Sequence, residues 1–112
     1  VNTVPLMQEN LEKFYESKWV IPIIANANSV ANSWTTELGL LFIDGSHTEI
    51  SAMNDYVNWN TKIHSQGALV IHDIYEKPDE GGQAPYLVYK RALQEDFKLY
   101  DQVDTIVCLI KT

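Results

Sequence analysis

At 112 residues the chain has room for one small domain with one core. Apolar residues make up 46% and charged residues 21%, the balance of a globular protein, and no apolar run approaches a membrane span. A net charge of −7 argues against nucleic acid and anionic membrane partners, and a single cysteine excludes an internal disulfide framework or a cysteine-based metal cluster.

Residues 6–17, LMQENLEKFYES, are expected to form a helix. Leu6 or Met7, Leu11, Phe14 and Tyr15 recur on one face, and Pro5 suits the first turn. KWVIPII, residues 18–24, follows as a short apolar strand, with Pro22 marking an edge or irregular position. NANSVANSW reads as a loop leading into a short helix. LGLLFID, residues 38–44, is a near-continuous apolar run and fits a strand buried on both faces. Residues 47–64 read as a helix with Ala52, Met53, Tyr56, Val57, Trp59 and Ile63 on its inner side. Ser46 and Glu49 have the spacing of a capping box at its start. GALVIHD, residues 67–73, is a second buried strand, its core at 68–73. EKPDEGGQAP is a long exposed connection, and residues 86–96 form another helix. The closing FKLYDQVDTIVCLIK reads as two strands turning near residues 102–104, with Cys108 as a small hydrophobe in the last of them. No repeat, low-complexity segment or second domain is visible, so residues 1–112 are read as one domain.

Strands alternating with helices imply an α/β fold with a mainly parallel sheet flanked by helices. In such sheets ligands bind outside the carboxyl ends of the strands. Two central strands end there in Asp44 and in His72-Asp73; if they are neighbours these side chains converge, and His47 follows Asp44 closely. Singly, each has an ordinary structural reading: Asp44 bonding loop amides, or His47 exposed in a helix's first turn. Together on one sheet edge they point to a site. Two carboxylates could hold a divalent cation, which orients a diol and favours its ionised form. His72 could add a nitrogen ligand to Mn²⁺, Fe²⁺ or Zn²⁺ but is a poor fit for Mg²⁺. His47 could serve as general base, since an unperturbed imidazole titrates near pH ~6.5.

LLFIDGSHTEISAMNDYVNW followed by QGALVIHDIY resembles the second half of a class I S-adenosylmethionine (SAM) dependent methyltransferase. The similar group carries FIDGxH, a helix, then GGxxxxHD, and includes sugar and small-molecule O-methyltransferases that use a divalent metal. YLVYKRAL resembles the family's next helix, and DTIVCLIK its last strand, in a sheet that ends in an antiparallel hairpin. The resemblance implies SAM as cofactor, with Asn26 and Asp44 beside it. It implies Asp44, His72 and Asp73 as ligands of Mg²⁺ or Mn²⁺, and His47 as base. It also implies a small-molecule or sugar acceptor. His72 stands where metal-using relatives often carry an acid, which weakens the Mg²⁺ expectation. Asn26 could equally be a turn residue, and Trp34 could cover the cofactor or simply pack. Tyr75 could line the acceptor pocket, and residues 76–85 are a candidate lid.

The family's glycine-rich SAM loop has no counterpart here, because the chain contains no G-x-G-x-G. The expectation is a carboxyl-terminal portion of the domain, without its first strands, that binds SAM poorly and self-associates through open sheet edges. The alternative is a non-catalytic binding or assembly module of the same architecture; a dehydrogenase lacks its nucleotide fingerprint as well. Without a basic-then-apolar leader in the sequence, the expected compartment is the cytosol.

Overall fold

Ile63–Ile71 (β2) is the strand around which the other elements are arranged. A computed structural model describes residues 4–13, 19–44 and 48–112. On one side β2 pairs in parallel with Leu38–Ile43 (β1), Leu40 opposite Ala68 and Ile43 opposite Ile71. On the other it pairs antiparallel with Ile106–Lys111 (β4), which in turn pairs antiparallel with Phe97–Val103 (β3). The order is β1-β2-β4-β3, so the strands ending in Asp44 and in His72-Asp73 are parallel neighbours, as expected. The β3–β4 hairpin turns at Asp104 and Thr105, and Asp104 takes the left-handed conformation such a tight loop needs, with φ 51°.

One helix links the parallel strands. Glu49–Trp59 (α3) and Ala84–Gln94 (α4) cover the same face of the sheet. Ala52 and Tyr56 from α3, Leu69 and Ile71 from β2, Val88 and Ala92 from α4, and Val107 and Leu109 from β4 form one core. Burial of each large aliphatic side chain there contributes about 1.5–3 kcal/mol. Tyr56, fully buried, donates its hydroxyl proton to Glu95 Oε1 at 2.5 Å, so its one polar atom stays satisfied. Gly67 keeps the sheet close-packed: a Cβ there would lie 2.6 Å from Ile63 Cγ2 and 3.1 Å from the Gly39 carbonyl.

Several boundaries differ from the sequence reading. The first helix is Val4–Lys13 (α1), with side chains 5–10 exposed, and residues 14–18 lie outside the described residues. Residues 20–24 form no strand: Pro22 offers no N–H for a ladder, and Trp19, Ile21 and Ile24 project into solvent. The predicted helix 47–64 is shorter at both ends. It is capped by Thr48, whose Oγ1 accepts from the Ser51 amide at 3.2 Å; Ser46 of the expected capping box lies outside the described residues. It stops because Asn60 turns its side-chain amide back onto the Tyr56 carbonyl at 2.7 Å; a 3₁₀ turn follows, and Ile63 and His64 already belong to β2. The last helix begins two residues earlier than expected, at Ala84, with Pro85 in its first turn. β1 is covered on one face only: Leu41 and Ile43 pack on the core, while Leu40 and Phe42 are 57% and 52% exposed. Cys108 is half-buried on the opposite face from Val107 and Leu109.

Candidate functional site

The parallel pairing of β1 and β2 brings two strand ends level. The His72 amide donates to the Ile43 carbonyl at 3.4 Å, which extends the pairing one step past both strands. Asp44 leaves β1 at that point and Asp73 leaves β2. Asp73 is held at φ 63°, a left-handed backbone that Asp tolerates better than most residues and that bends the chain sharply after His72. The three side chains therefore turn toward one another. His72 Nδ1 lies 3.1 Å from Asp44 Oδ1, and His72 Nε2 lies 3.5 Å from Asp73 Oδ1. One ligand atom from each of the three falls within 4.8 Å of the others. Ligands bound to one ion at ~2.1 Å stand ~3–4 Å apart, so a modest contraction closes the set around a cation. Asp44 is exposed, and His72 and Asp73 are half-buried, so the cluster opens to solvent and to incoming ligands.

Cavities lie on both sides of this cluster. One, of about 330 Å³, runs along β1 from Leu41 to Asp44 and is walled by Ala27, Asp55 and Trp59. A polar one of about 300 Å³ adjoins it, shares Ala27 and Asp55, and is lined by Asn26, Asn28, Thr48, Ser51 and Asn54 among others. A third, of about 260 Å³, lies on the Asp73 side and is lined by Tyr75, Gly82 and Pro85. Its loop is folded tightly: the Gln83 side chain donates to the Tyr75 carbonyl at 2.6 Å, and a Cβ on Gly81 would lie 2.5 Å from the Tyr75 ring.

A family model for a methyltransferase domain matches residues 5–74. The chain belongs to that methyltransferase-domain family. The match covers more than half of the chain and includes Asn26, Asp44, His72 and Asp73. A crystal structure from Staphylococcus aureus, of a protein described as a caffeoyl-CoA O-methyltransferase, superposes with a TM-score of 0.76 at 11% identity. It covers 97% of this chain, which spans 59% of that one. A Streptococcus mutans protein described as a methyltransferase, solved in complex with SAH, superposes with a TM-score of 0.64 at 16% identity. It covers 94% of this chain, which spans 68% of that one. At these identities the likeness is one of fold.

Within this methyltransferase domain, the site residues expected from sequence divide into three groups. Asp44, His72 and Asp73 are brought together. His47 lies outside the described residues. Asn26 is the N-cap of Ala27–Ser33 (α2), its Oδ1 accepting from the Asn28 amide at 2.9 Å; the same residue lines the polar cavity. The turn role and the wall role thus coincide. Trp34 packs against Trp59 with ring centroids 5.7 Å apart, and its carbonyl accepts from Lys62 Nζ at 2.9 Å, which is a packing role. His64 is an exposed β2 residue rather than a helix end.

Sequence reasoning missed Asp55. It lines both cavities on the Asp44 side, and partial burial pushes its carboxyl above the usual carboxylate range. The signal was available: Ser51, Asp55 and Trp59 stand at i, i+4 and i+8 on one helical line. Among the described residues no helix is long and apolar enough to cross a membrane.

Proposed function

We propose that this chain is the carboxyl-terminal part of a cytosolic, SAM-dependent methyltransferase that methylates a hydroxyl of a small molecule or sugar with help from a divalent metal. One observation carries the reading: the Asp44–His72–Asp73 cluster lies between a cavity on the Asp44 side and another on the Asp73 side. Group transfer between two ligands needs such an arrangement, with donor and acceptor meeting over one charged point. The donor set fits a cation of the Mn²⁺ kind, since two hard carboxylate oxygens and one imidazole suit it better than Mg²⁺. When bound, SAM supplies an activated methyl group, and the divalent ion lowers the acceptor hydroxyl's affinity for its proton. Asp44, His72 and Asp73 hold that ion. Asn26 and Asp44 line the cofactor side, and Tyr75 and Pro85 the acceptor side. His47, assigned from its place in the sequence, takes the acceptor's proton on a ring nitrogen.

The test is transfer of a labelled methyl group from SAM to catechol and to free hexoses by the full-length protein. Metal-dependent transfer that is lost in Asp73→Asn and in excess chelator is the expected outcome. Undiminished transfer in both cases contradicts metal assistance. No transfer to any hydroxyl favours the second reading, a non-catalytic binding or assembly module.

The same reading includes self-association of the 112-residue chain. Among the described residues β1 is paired on one side only and carries no charged residue, whereas the edge strand β3 carries Lys98 and Asp101; both have an irregular register, between Leu38 and Leu40 and between Leu99 and Asp101. Charges and bulges protect an edge, and β1 has no charge to do so. Sedimentation of the chain should show a dimer or larger species that Phe42→Lys dissociates and Leu99→Lys does not. A monomer at micromolar concentration rejects this.

A further inference from the structure

The connection from β2 to α4 carries two adjacent glycines, and packing explains one of them. A Cβ on Gly81 would lie 2.5 Å from Cδ2 and 2.8 Å from Cε2 of Tyr75, so a side chain there would displace the ring. Gly82 meets no such limit. A Cβ on it would have no described atom within 4 Å, and its φ lies outside the left-handed region that favours glycine. An alanine at such a position stabilises a protein by narrowing the unfolded ensemble. Neither the backbone nor the packing calls for glycine at 82.

Gly82 does have a place on a cavity. With Asp73, Tyr75 and Pro85 it lines the space of about 260 Å³ on the Asp73 side. The backbone that carries these walls is anchored. The Ile74 amide donates to the Thr105 carbonyl at 2.9 Å, which ties the segment between Asp73 and Tyr75 to the β3–β4 turn. The Gln83 side chain donates to the Tyr75 carbonyl at 2.6 Å, and the Glu80 amide donates to the Lys77 carbonyl at 3.0 Å. Pro85 is fixed in the first turn of α4.

Size and lining define the ligand class. Sites for drug-sized molecules measure ~300–1,000 Å³, so a space of about 260 Å³ suits a single ring. Tyr75 and Pro85 offer that ring apolar surface, and the Asp73 carboxylate accepts hydrogen bonds from its hydroxyls. Substituents on the ring need room beside these walls. Gly82 is the lining residue whose missing side chain leaves it.

We propose that Gly82 is a size-determining position of the acceptor site, where the absent side chain admits the substituents of a single hydroxylated planar ring. The assignment rests on the acceptor side proposed above for Tyr75 and Pro85.

The experiment compares Gly82→Ala and Gly82→Leu with wild type in the full-length protein, with catechol and 4-tert-butylcatechol as probes. Binding is followed by calorimetry in the presence of SAH and Mn²⁺, and transfer by the labelled methyl group of SAM. Wild type should bind both probes. Gly82→Leu should weaken 4-tert-butylcatechol about 10- to 200-fold relative to catechol, the range over which an apolar pocket discriminates a methylene. Gly82→Ala should fall between Gly82→Leu and wild type. The ratio between the probes is the readout, because a general folding defect would weaken both alike. Gly82→Ala should also melt at or above the wild-type temperature, whereas Gly81→Ala should melt below it. An unchanged ratio in Gly82→Leu overturns the assignment but leaves the acceptor side standing. So does a fall in melting temperature for Gly82→Ala as large as that for Gly81→Ala, since the fold itself would then need the glycine. The expected ratio in binding without any transfer supports the assignment and overturns the methyl-transfer reading. Binding of neither probe to wild type overturns both the assignment and the acceptor side.

Discussion

The sheet face under α3 and α4 and the free edge at β1 are built from the same kinds of residue and end in opposite states. Leu69, Ile71, Val107 and Leu109 are fully buried, and Tyr56 is closed over them with its hydroxyl satisfied. Leu40 and Phe42, paired across to Ala68 and Val70, remain about half exposed, and Trp19, Ile21 and Ile24 are more exposed still. Apolar content alone does not decide burial; a covering element does. The site lies on the boundary between these regions. Asp73 and His72 belong to the closed side through β2, Asp44 to the open side through β1, and the cavities at Asp44 and Asp55 follow the open edge. Stability and function are therefore expected to separate along that boundary.

The largest effect should come from the closed side. Leu69→Ala should cost about 2–5 kcal/mol in urea unfolding, from lost burial and the cavity left behind. Ile21→Ser, on the open side and 82% exposed, should stay within about 0.5 kcal/mol. Equal losses at the two positions would erase the distinction between the regions.

A smaller loss is expected from Tyr56→Phe, about 1 kcal/mol for a hydrogen bond to a carboxylate that retains access to water. Tyr56 also carries a pH signature. Burial and the bond to Glu95 hold its phenol well above the ordinary value of 10.0. A folded-state pKa raised above the unfolded one means stability that is complete below pH 10 and is lost as pH rises toward the folded value. Wild-type protein should therefore lose stability in alkali more steeply than Tyr56→Phe, as followed by thermal melting above pH 10; parallel curves would contradict the burial.

At the boundary the signs should reverse. Asp73→Gly should stabilise by up to about 1 kcal/mol, because glycine adopts the left-handed backbone of this position without strain. The same substitution should abolish metal binding. Destabilisation would mean that the His72–Asp73 contact holds the fold rather than the site.

The smallest effect concerns Asp55, whose carboxyl is pushed up by burial. Its raised folded-state pKa means that the favourable contribution exists in acid and is lost as pH rises through that value. Asp55→Asn should accordingly melt slightly higher than wild type at pH 7, with the difference vanishing in acid. A lower melting temperature at pH 7 would show a stabilising partner for Asp55.

Residue patterns made the central strands and their ends legible. LGLLFID and GALVIHD are apolar runs that stop at acids, and in parallel strands such stops fall on one edge. The closing hairpin was legible for the same reason. The helix after Asp44 was over-extended because Trp59 and Ile63 continue its apolar spacing, while the side-chain amide of Asn60 ends it locally. WVIPII reads as a strand by composition, but a strand needs a neighbour to pair with, and pairing is not visible in a local pattern. Asp55 escaped because a charge within an amphipathic helix is ordinarily solvated; its cavities form only when α2 docks on α3.

Calorimetric titration of Mn²⁺ into the chain tests the central claim most directly, with Asp44→Asn and Asp73→Asn as paired variants. One ion per chain, lost in both variants while their melting temperatures stay within a few degrees of wild type, is the predicted result. Absence of binding to wild type, or equal binding in the variants, would contradict a metal centre at the ends of β1 and β2.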